Sequence, residues 1–295
     1  MSLEVKKMNI GFIGLGVMGK SIVSHLLNAK HHVVVYTRTK LSAQEALDKG
    51  AVWAETPAQV TKQADIVMTM VGYPSDVEEV YFGENGIFSV DITGKILIDL
   101  TTSTPRLAKR IYEEAVKRSA NALDAPVSGG DIGAKNGTLT TMVGGDQEVF
   151  EKVELLLGVF SSKVRLQGES GAGQHTKMAN QIMIAGTMTG MTELLVYAKA
   201  AGLSLEQVLD TVGAGSAANW SLTNYAPRVL KDDFAAGFYA KHFLKDLRIA
   251  LDEAKEMGVD LPATQTAERV YAQLVEAGYG DLGTQSLIKM YTNHA

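Results

Sequence analysis

Gly14-Leu15-Gly16-Val17-Met18-Gly19 follows directly on the apolar run at residues 10–13 and opens a segment with helical apolar spacing. No other feature constrains the fold as tightly, because a strand that passes through such a glycine turn into a helix builds a parallel α/β unit. Gly14 permits the tight turn, Gly16 lets a ligand approach the backbone, and Gly19 lets the helix pack closely on the strand. The unpaired amides and helix dipole at that turn attract an anion such as a pyrophosphate. A ligand-free glycine turn would use the same residue types. The strand-turn-helix setting favours a dinucleotide, with residues 14–19, including Leu15, Val17 and Met18, as its cradle.

The first two-thirds of the chain alternates short β-branched runs with amphipathic stretches, the pattern of crossover helices on a mostly parallel sheet. Strands are expected at residues 9–13, 32–36, 66–70, 96–99, 122–125 and 139–143, and helices at 19–29 and 104–119, the second with Pro105 in its first turn. Beyond Gly173 the strand signals fade, and helices are expected at 174–201, 205–212, 245–257 and 262–277. The fold class expected is therefore α/β, with an N-terminal Rossmann-type doubly wound sheet over residues 1–173 followed by an all-α domain over 174–295 that takes substrate and dimerises. The segment 174–201 carries no charged residue between Lys177 and Glu193, so most of its circumference is expected to be buried. Met183, Met188 and Met191 within it read as core filling.

About 20 residues beyond the glycine loop a Rossmann unit that binds NAD places an acidic residue on the ribose hydroxyls. This chain has Tyr36-Thr37-Arg38-Thr39 there, with no carboxylate. Arg38 offers a guanidinium to a 2′-phosphate and Thr37 and Thr39 offer hydroxyls, so NADP is the preferred cofactor and NAD an alternative. A solvated loop arginine would leave NAD, or both, in use. Val71 and Gly72, after the third strand, and Thr102, after the fourth, fall at the carboxyl ends of strands, the edge where open α/β sheets bind ligands.

A net charge of −5 supplies no basic surface for nucleic acid, and the chain has no cysteine for disulfides, thiolate metal sites or thiol nucleophiles. Its six histidines show no metal-ligand spacing, so no metal is expected. The opening residues MSLEVKKMNI lack an apolar targeting core, and no apolar run reaches the roughly 18 to 20 residues that a membrane span needs. The expected setting is cytoplasmic, with a small-molecule partner and neither nucleic acid nor membrane.

Lys177 opens the long apolar segment, and a lysine is rarely buried unless it is paired or functional. Desolvation lowers an ammonium's pKa, which suits a group that exchanges protons near neutral pH. A lysine at a helix start that snorkels to solvent is the other possibility. Asn180 and Gln181, three and four residues on, share its helix face, whereas His175, two residues before it, faces elsewhere and reads as structural.

Asp124-Ala125-Pro126-Val127-Ser128-Gly129-Gly130, then residues 171–181, then residues 238–246 resemble, in order and spacing, the motifs of the β-hydroxyacid dehydrogenases. These include 3-hydroxyisobutyrate dehydrogenase, tartronate semialdehyde reductase and glyoxylate reductases, and the likeness runs from Gly11 to Lys245-Asp246. The resemblance implies that Lys177 is the catalytic acid/base. It further implies that Ser128, Gly129, Gly130 and Thr102 bind substrate, and that Asn180, Gln181 and Asp246 contact substrate or orient the lysine. Phe238 and Lys245, with Thr102 again, would lie beside the nicotinamide. Read alone, Lys245 and Asp246 could equally be capping and surface charge at a helix start. The family usually has asparagine where Gln181 stands, a difference shared with tartronate semialdehyde reductase-like members.

The implied function is hydride transfer between NADP(H) and a small hydroxy acid or semialdehyde, by a homodimer or homotetramer. Imine reductases share the architecture but typically lack the lysine. A non-catalytic NADP(H)-binding scaffold or redox sensor would show a lost Lys177 or a long appended module. Substrate choice is expected to rest on side chains around Trp220, Asn224 and Phe238.

Overall fold

A computed structural model describes residues 7–292, so most of the opening segment read for targeting signals lies outside the described residues. They form two compact units that divide between Lys177 and Met178.

In the first unit the strands are β1 (Asn9–Ile13), β2 (His32–Tyr36), β3 (Val52–Trp53), β4 (Ile66–Thr69), β5 (Ile96–Asp99), β6 (Asn121–Asp124), β7 (Val127–Ser128), β8 (Leu139–Gly144) and β9 (Ser161–Gly168). Between them run α1 (Val17–Asn28), α2 (Gln44–Asp48), α3 (Pro57–Lys62), α4 (Pro74–Phe82), α5 (Pro105–Lys117), α6 (Gly130–Asn136) and α7 (Gln147–Leu157). The strands make one sheet in the order β3-β2-β1-β4-β5-β6-β8-β7, with β9 on β8. The pairs from β3 through β6 are parallel, and β8 pairs antiparallel to both β6 and β7. This is the expected α/β class. The short β3 and β7 lack enough residues to show a period, and β9, with an exposed outer edge, alternates polar residues that hide its strand character.

Parallel strands covered on both faces must be apolar on both faces. Ile10, Phe12, Val33, Val35 and Met68 pack with Ile22, Val23 and Leu26 of α1 on one side. Ile13, Val34, Val67 and Leu97 pack with Val60, Val77 and Ile111 on the other. Each such side chain contributes about 1.5–3 kcal/mol on burial. The chain leaves β1 toward β2 on one side and meets β4 on the other, so the order reverses at β1/β4. The carboxyl ends of β1 and β4 at this switch point are where doubly wound sheets bind ligands.

The second unit is helical. The long α8 (Ala172–Ala200) starts in the first unit and continues into the second, followed by α9 (Leu205–Gly213), α10 (Trp220–Asn224), α11 (Ala226–Val229), α12 (Ala240–Glu256) and α13 (Pro262–Leu274). Its core joins Phe243, Leu247, Tyr271, Leu274 and Leu287, with the Phe243 and Tyr271 rings edge to face at 4.9 Å. Met188 and Met191 are core residues, but Met183 is 67% exposed. The expectation that α8 is buried around most of its circumference also needs correction. Ala179, Met183, Gly186, Gly190, Glu193 and Tyr197 form an exposed face at three- and four-residue spacing. Absence of charge does not separate a buried face from an exposed one made of small and apolar residues. No helix among the described residues is long and apolar enough to cross a membrane.

Candidate active site

The glycine loop closes the carboxyl end of β1 against its two neighbours. Gly14 has φ +102°, and a Cβ on it would fall 2.1 Å from the Met70 carbonyl, so both conformation and space demand glycine. Its N–H donates to Tyr36 O at 2.8 Å, which ties the turn to the end of β2. Gly16 is different: its φ is −74°, and a Cβ there would meet nothing within 4 Å. The protein's own packing does not require glycine at 16, which leaves the space beside its backbone for a ligand. Helix α1 starts at this point with no side-chain cap and no acidic residue in its first turn. No capping side chain takes up the amides of the first turn, Val17, Met18 and Gly19, an arrangement that suits a dinucleotide pyrophosphate.

Thr37, Arg38 and Thr39 follow β2 as expected, and Arg38 is 81% exposed. The segment itself carries no carboxylate, and the fold brings one to it from another element. Arg38 Nη1 donates to Asp76 Oδ1 at 3.1 Å, and Asp76 Oδ2 accepts the Tyr73 N–H at 3.1 Å. Asp76 belongs to α4, 38 residues beyond Arg38 along a chain that returns to the same edge through β4. A search confined to the residues after β2 could not find it.

Across the middle of the same edge the last strand residues line up in register: Ile13 with Thr69, Thr69 with Asp99, and Asp99 with Asp124. Thr69 Oγ1 donates to Asp99 Oδ1 at 2.8 Å, and the Thr101 N–H donates to the same oxygen at 3.0 Å. Burial pushes the Asp99 carboxyl up to about 6 against the opposing pull of these hydrogen bonds. Thr101 Oγ1 accepts the Val71 N–H at 3.0 Å, which joins the loop after β4, with Val71 and Gly72, to the loop after β5, with Thr102. Gln174, fully buried, accepts the Ser103 N–H at 3.0 Å and donates to Thr101 O at 2.7 Å. Thr102 is thus held between two residues clamped by one side chain.

Asp124 completes the frame. Its Oδ1 accepts the Gly171 N–H at 2.7 Å and its Oδ2 the Gln174 N–H at 2.8 Å, the amides that begin α8. Burial raises its carboxyl above the ordinary range, and these backbone donors oppose the rise. One turn beyond Gln174, Lys177 is 6% exposed, and its Nζ donates to Val127 O at 2.9 Å. The possibility that it snorkels to solvent is excluded. The amine sits on the carbonyl that precedes Ser128, where Gly129 (φ +132°) and Gly130 (φ +62°) carry the backbone through conformations that favour glycine. The structure therefore brings Lys177 to the Ser128-Gly129-Gly130 segment. His175 is half-buried and lies two residues from Lys177 on the same helix.

In the second unit, Asn180 Nδ2 donates to Gln181 Oε1 at 2.8 Å, and Gln181 Nε2 donates to Asp246 Oδ2 at 2.6 Å. Lys245 Nζ lies 3.0 Å from Asp246 Oδ1. Helix α12 starts at Ala240, which places this pair in its second turn with Asp246 1% exposed, so the capping and surface-charge alternative is excluded. Phe238 precedes α12 and meets Phe243 edge on at 5.7 Å. Trp220 packs against Tyr225 at 5.2 Å, and Asn224 Nδ2 is turned back onto Trp220 O at 2.9 Å. No group of three or more metal-ligating side chains is present among the described residues.

Asp76 and Asp99 are the contributors to which sequence reasoning gave no role, and Asp124 and Gln174 were noted only as parts of motifs. One signal was available: Asp99 and Asp124 each end a short apolar strand, a position where a carboxylate is costly unless it is hydrogen-bonded.

A doubly wound sheet with an uncapped glycine-loop helix at its switch point, followed by a buried lysine in the helix that leads into an all-helical unit, defines an NAD(P)-dependent oxidoreductase. Residues 9–168 match the NAD binding domain of 6-phosphogluconate dehydrogenase, and residues 171–291 match the NAD-binding domain of NADP-dependent 3-hydroxyisobutyrate dehydrogenase. The chain belongs to the β-hydroxyacid dehydrogenase family. It is 53% identical to the uncharacterized oxidoreductase YkwC of Bacillus subtilis, over 97% of this chain and 99% of that one. It is 38% identical to 2-hydroxy-3-oxopropionate reductase of Escherichia coli, over 97% and 99% of the two chains. A solved structure of Mycobacterium tuberculosis 3-hydroxyisobutyrate dehydrogenase with L-serine superposes with a TM-score of 0.87 at 27% identity, covering 97% of this chain and 99% of that one.

Proposed function

We propose that the protein interconverts a small hydroxy acid and its aldehyde or keto form with NADP(H), using Lys177 as general acid/base. The observation that carries this reading is the buried Lys177 amine, 2.9 Å from Val127 O beside the Ser128-Gly129-Gly130 segment. When bound, the nicotinamide accepts or delivers a hydride at its C4. In oxidation, neutral Lys177 takes the hydroxyl proton as the hydride leaves the carbinol carbon. In reduction, its ammonium returns the proton to the nascent alkoxide. The burial of Lys177 and its hydrogen bond to Val127 O hold the amine in one place beside the Ser128-Gly129-Gly130 segment.

Ser128, the Gly129 and Gly130 amides and Thr102 take the substrate carboxylate. Asp246 fixes Gln181, and so the turn of α8 that begins directly after Lys177, while Asn180 presents its amide to substrate. Gly14 to Gly19 take the pyrophosphate, Thr37, Arg38 and Thr39 the 2′-phosphate side, and Val71 and Gly72 the neighbouring strand end. Phe238 and Lys245 take the nicotinamide side. The glyoxylate, tartronate semialdehyde and 3-hydroxyisobutyrate types of substrate fit this chemistry. The lysine favours this reading over imine reduction or a non-catalytic binder.

The test is a panel of short hydroxy acids and semialdehydes assayed with both cofactors, on the native protein and on Lys177→Ala. Lys177→Ala is expected to lose at least about 100-fold in kcat, the usual contribution of a general acid/base. NADPH binding, read by fluorescence, should stay unchanged. A variant that retains more than about a tenth of native turnover overturns the assignment.

A further inference from the structure

The doubly wound sheet reads the adenosine ribose at the carboxyl end of β2, and the chain supplies no acidic residue there. The tertiary structure supplies one from elsewhere. Gly14, at the head of the glycine loop, hydrogen-bonds Tyr36 at the end of β2 and leaves no room for a side chain against Met70 at the end of β4. The segments that follow these two strands therefore flank the same loop, one carrying Arg38 and the other Asp76. Asp76 divides its oxygens: Oδ2 accepts the Tyr73 N–H at the start of α4, and Oδ1 accepts from Arg38 at 3.1 Å. Asp76 is the more enclosed partner, 21% exposed against 81% for Arg38. Lys40, two residues beyond Arg38, pairs with Glu55 at 3.8 Å and so involves neither residue.

We propose that Asp76 is a specificity-determining residue for the cofactor, competing with the 2′-phosphate of NADP for Arg38 and serving as acceptor for a ribose 2′-hydroxyl of NAD. The proposal rests on the reading that Arg38 meets the 2′-phosphate. An exposed ion pair is weak, so Arg38 leaves its partner at small cost. The carboxylate it leaves is anchored by Tyr73 and stays close to an arriving dianion, which disfavours the phosphate. A ribose hydroxyl carries no charge and can donate to that same carboxylate. The pair therefore holds the NADP preference below what Arg38 alone would give, a specificity set by repulsion as well as attraction.

NADPH and NADH dissociation constants measured by fluorescence titration, which needs no substrate, test this on the native protein, Asp76→Asn, Arg38→Ala and the double variant. Asparagine keeps an oxygen for the Tyr73 N–H, and thermal melts monitor folding, with Asp76→Ser as the second variant should asparagine fail. Asp76→Asn is expected to tighten NADPH by about twofold to fivefold, the scale of an exposed ion pair, and to weaken NADH, since an amide is a poorer acceptor than a carboxylate for the ribose hydroxyl. Arg38→Ala should weaken NADPH by about tenfold or more, with little change for NADH. In the Arg38→Ala background the gain from Asp76→Asn should be smaller than in the native background, what is left being the carboxylate's own repulsion of the phosphate. An unchanged or lowered NADPH preference in Asp76→Asn, with Arg38→Ala still weakening NADPH, overturns the role of Asp76 and leaves Arg38 standing. An Arg38→Ala protein that binds NADPH normally overturns the Arg38 reading and this inference with it. A gain of undiminished size in the double variant overturns the competition for Arg38.

Discussion

Asp124 accepts the backbone N–H of Gln174 at 2.8 Å, so the last residue of a sheet strand holds the first turn of the helix that carries Lys177. With its other oxygen on the Gly171 N–H at 2.7 Å, one carboxylate fixes both ends of the turn into α8. Asp124→Ala leaves two buried donors without an acceptor and should cost about 2–4 kcal/mol. Asp124→Asn keeps one strong acceptor and should cost about half of that. Thermal unfolding measures the stability, and kcat should fall in the same order, because Lys177 is one turn beyond Gln174. Equal melting temperatures for all three proteins would remove Asp124 from this role.

Asp99 carries a titration that should appear in stability. Its carboxyl is pushed up to about 6 by burial in the folded protein, whereas an unfolded chain returns it to the ordinary carboxylate range. The folded state therefore holds this proton more tightly. The associated stability is present at acid pH, below the unfolded value, and is lost as pH rises toward 6. Asp99→Asn preserves an acceptor for Thr69 and Thr101 without titrating. Its stability relative to the native protein should improve by about 2–3 kcal/mol between pH 4 and pH 8. Unfolding midpoints across that range are the measurement, and a pH-independent difference between the two proteins would contradict the assignment.

The glycine loop separates folding from binding. Gly14→Ala forces a Cβ onto the Met70 carbonyl at a positive φ, and should cost more than about 3 kcal/mol or abolish soluble expression. Gly16→Ala meets no protein atom and should cost under about 1 kcal/mol, the scale of a changed helix N-cap. NADPH affinity should nevertheless fall sharply in Gly16→Ala. Comparable melts with comparable NADPH binding in native and Gly16→Ala proteins would show that no ligand passes there.

Asp246 sits between an amide and an ammonium, both poorly exposed. Removing it in Asp246→Ala leaves Lys245 and Gln181 without that partner. The cost should be about 3–5 kcal/mol, the range for breaking one side of a buried pair. Asp246→Asn keeps the Gln181 contact and should lose less stability than activity. Calorimetry beside steady-state kinetics distinguishes the two effects, and a stable, fully active Asp246→Ala protein would contradict both.

Periodicity found most of the sheet. The expected strands at 9–13, 32–36 and 96–99 coincide with β1, β2 and β5, because buried parallel strands must be apolar along their length, a property written locally. Helix α12 begins at Ala240, five residues before its expected start, since Ala240, Phe243 and Leu244 face a core whose partners, Tyr271 and Leu287, are remote in sequence.

For the site, the sequence by itself determined the glycine turn, the lysine at the head of a long helix and the small residues after Ser128, because each is demanded by its own backbone or its own helix. Only the tertiary structure decided that Lys177 rests on Val127 O, that Asp99 and Asp124 stand side by side at the sheet edge, and that Gln174 clamps the loop around Thr102. It also decided that Arg38 has a carboxylate partner in Asp76. The physical reason is common to all of these: a hydrogen bond or ion pair depends on distance in space, and parallel strands joined by long crossovers bring together residues that no local pattern relates.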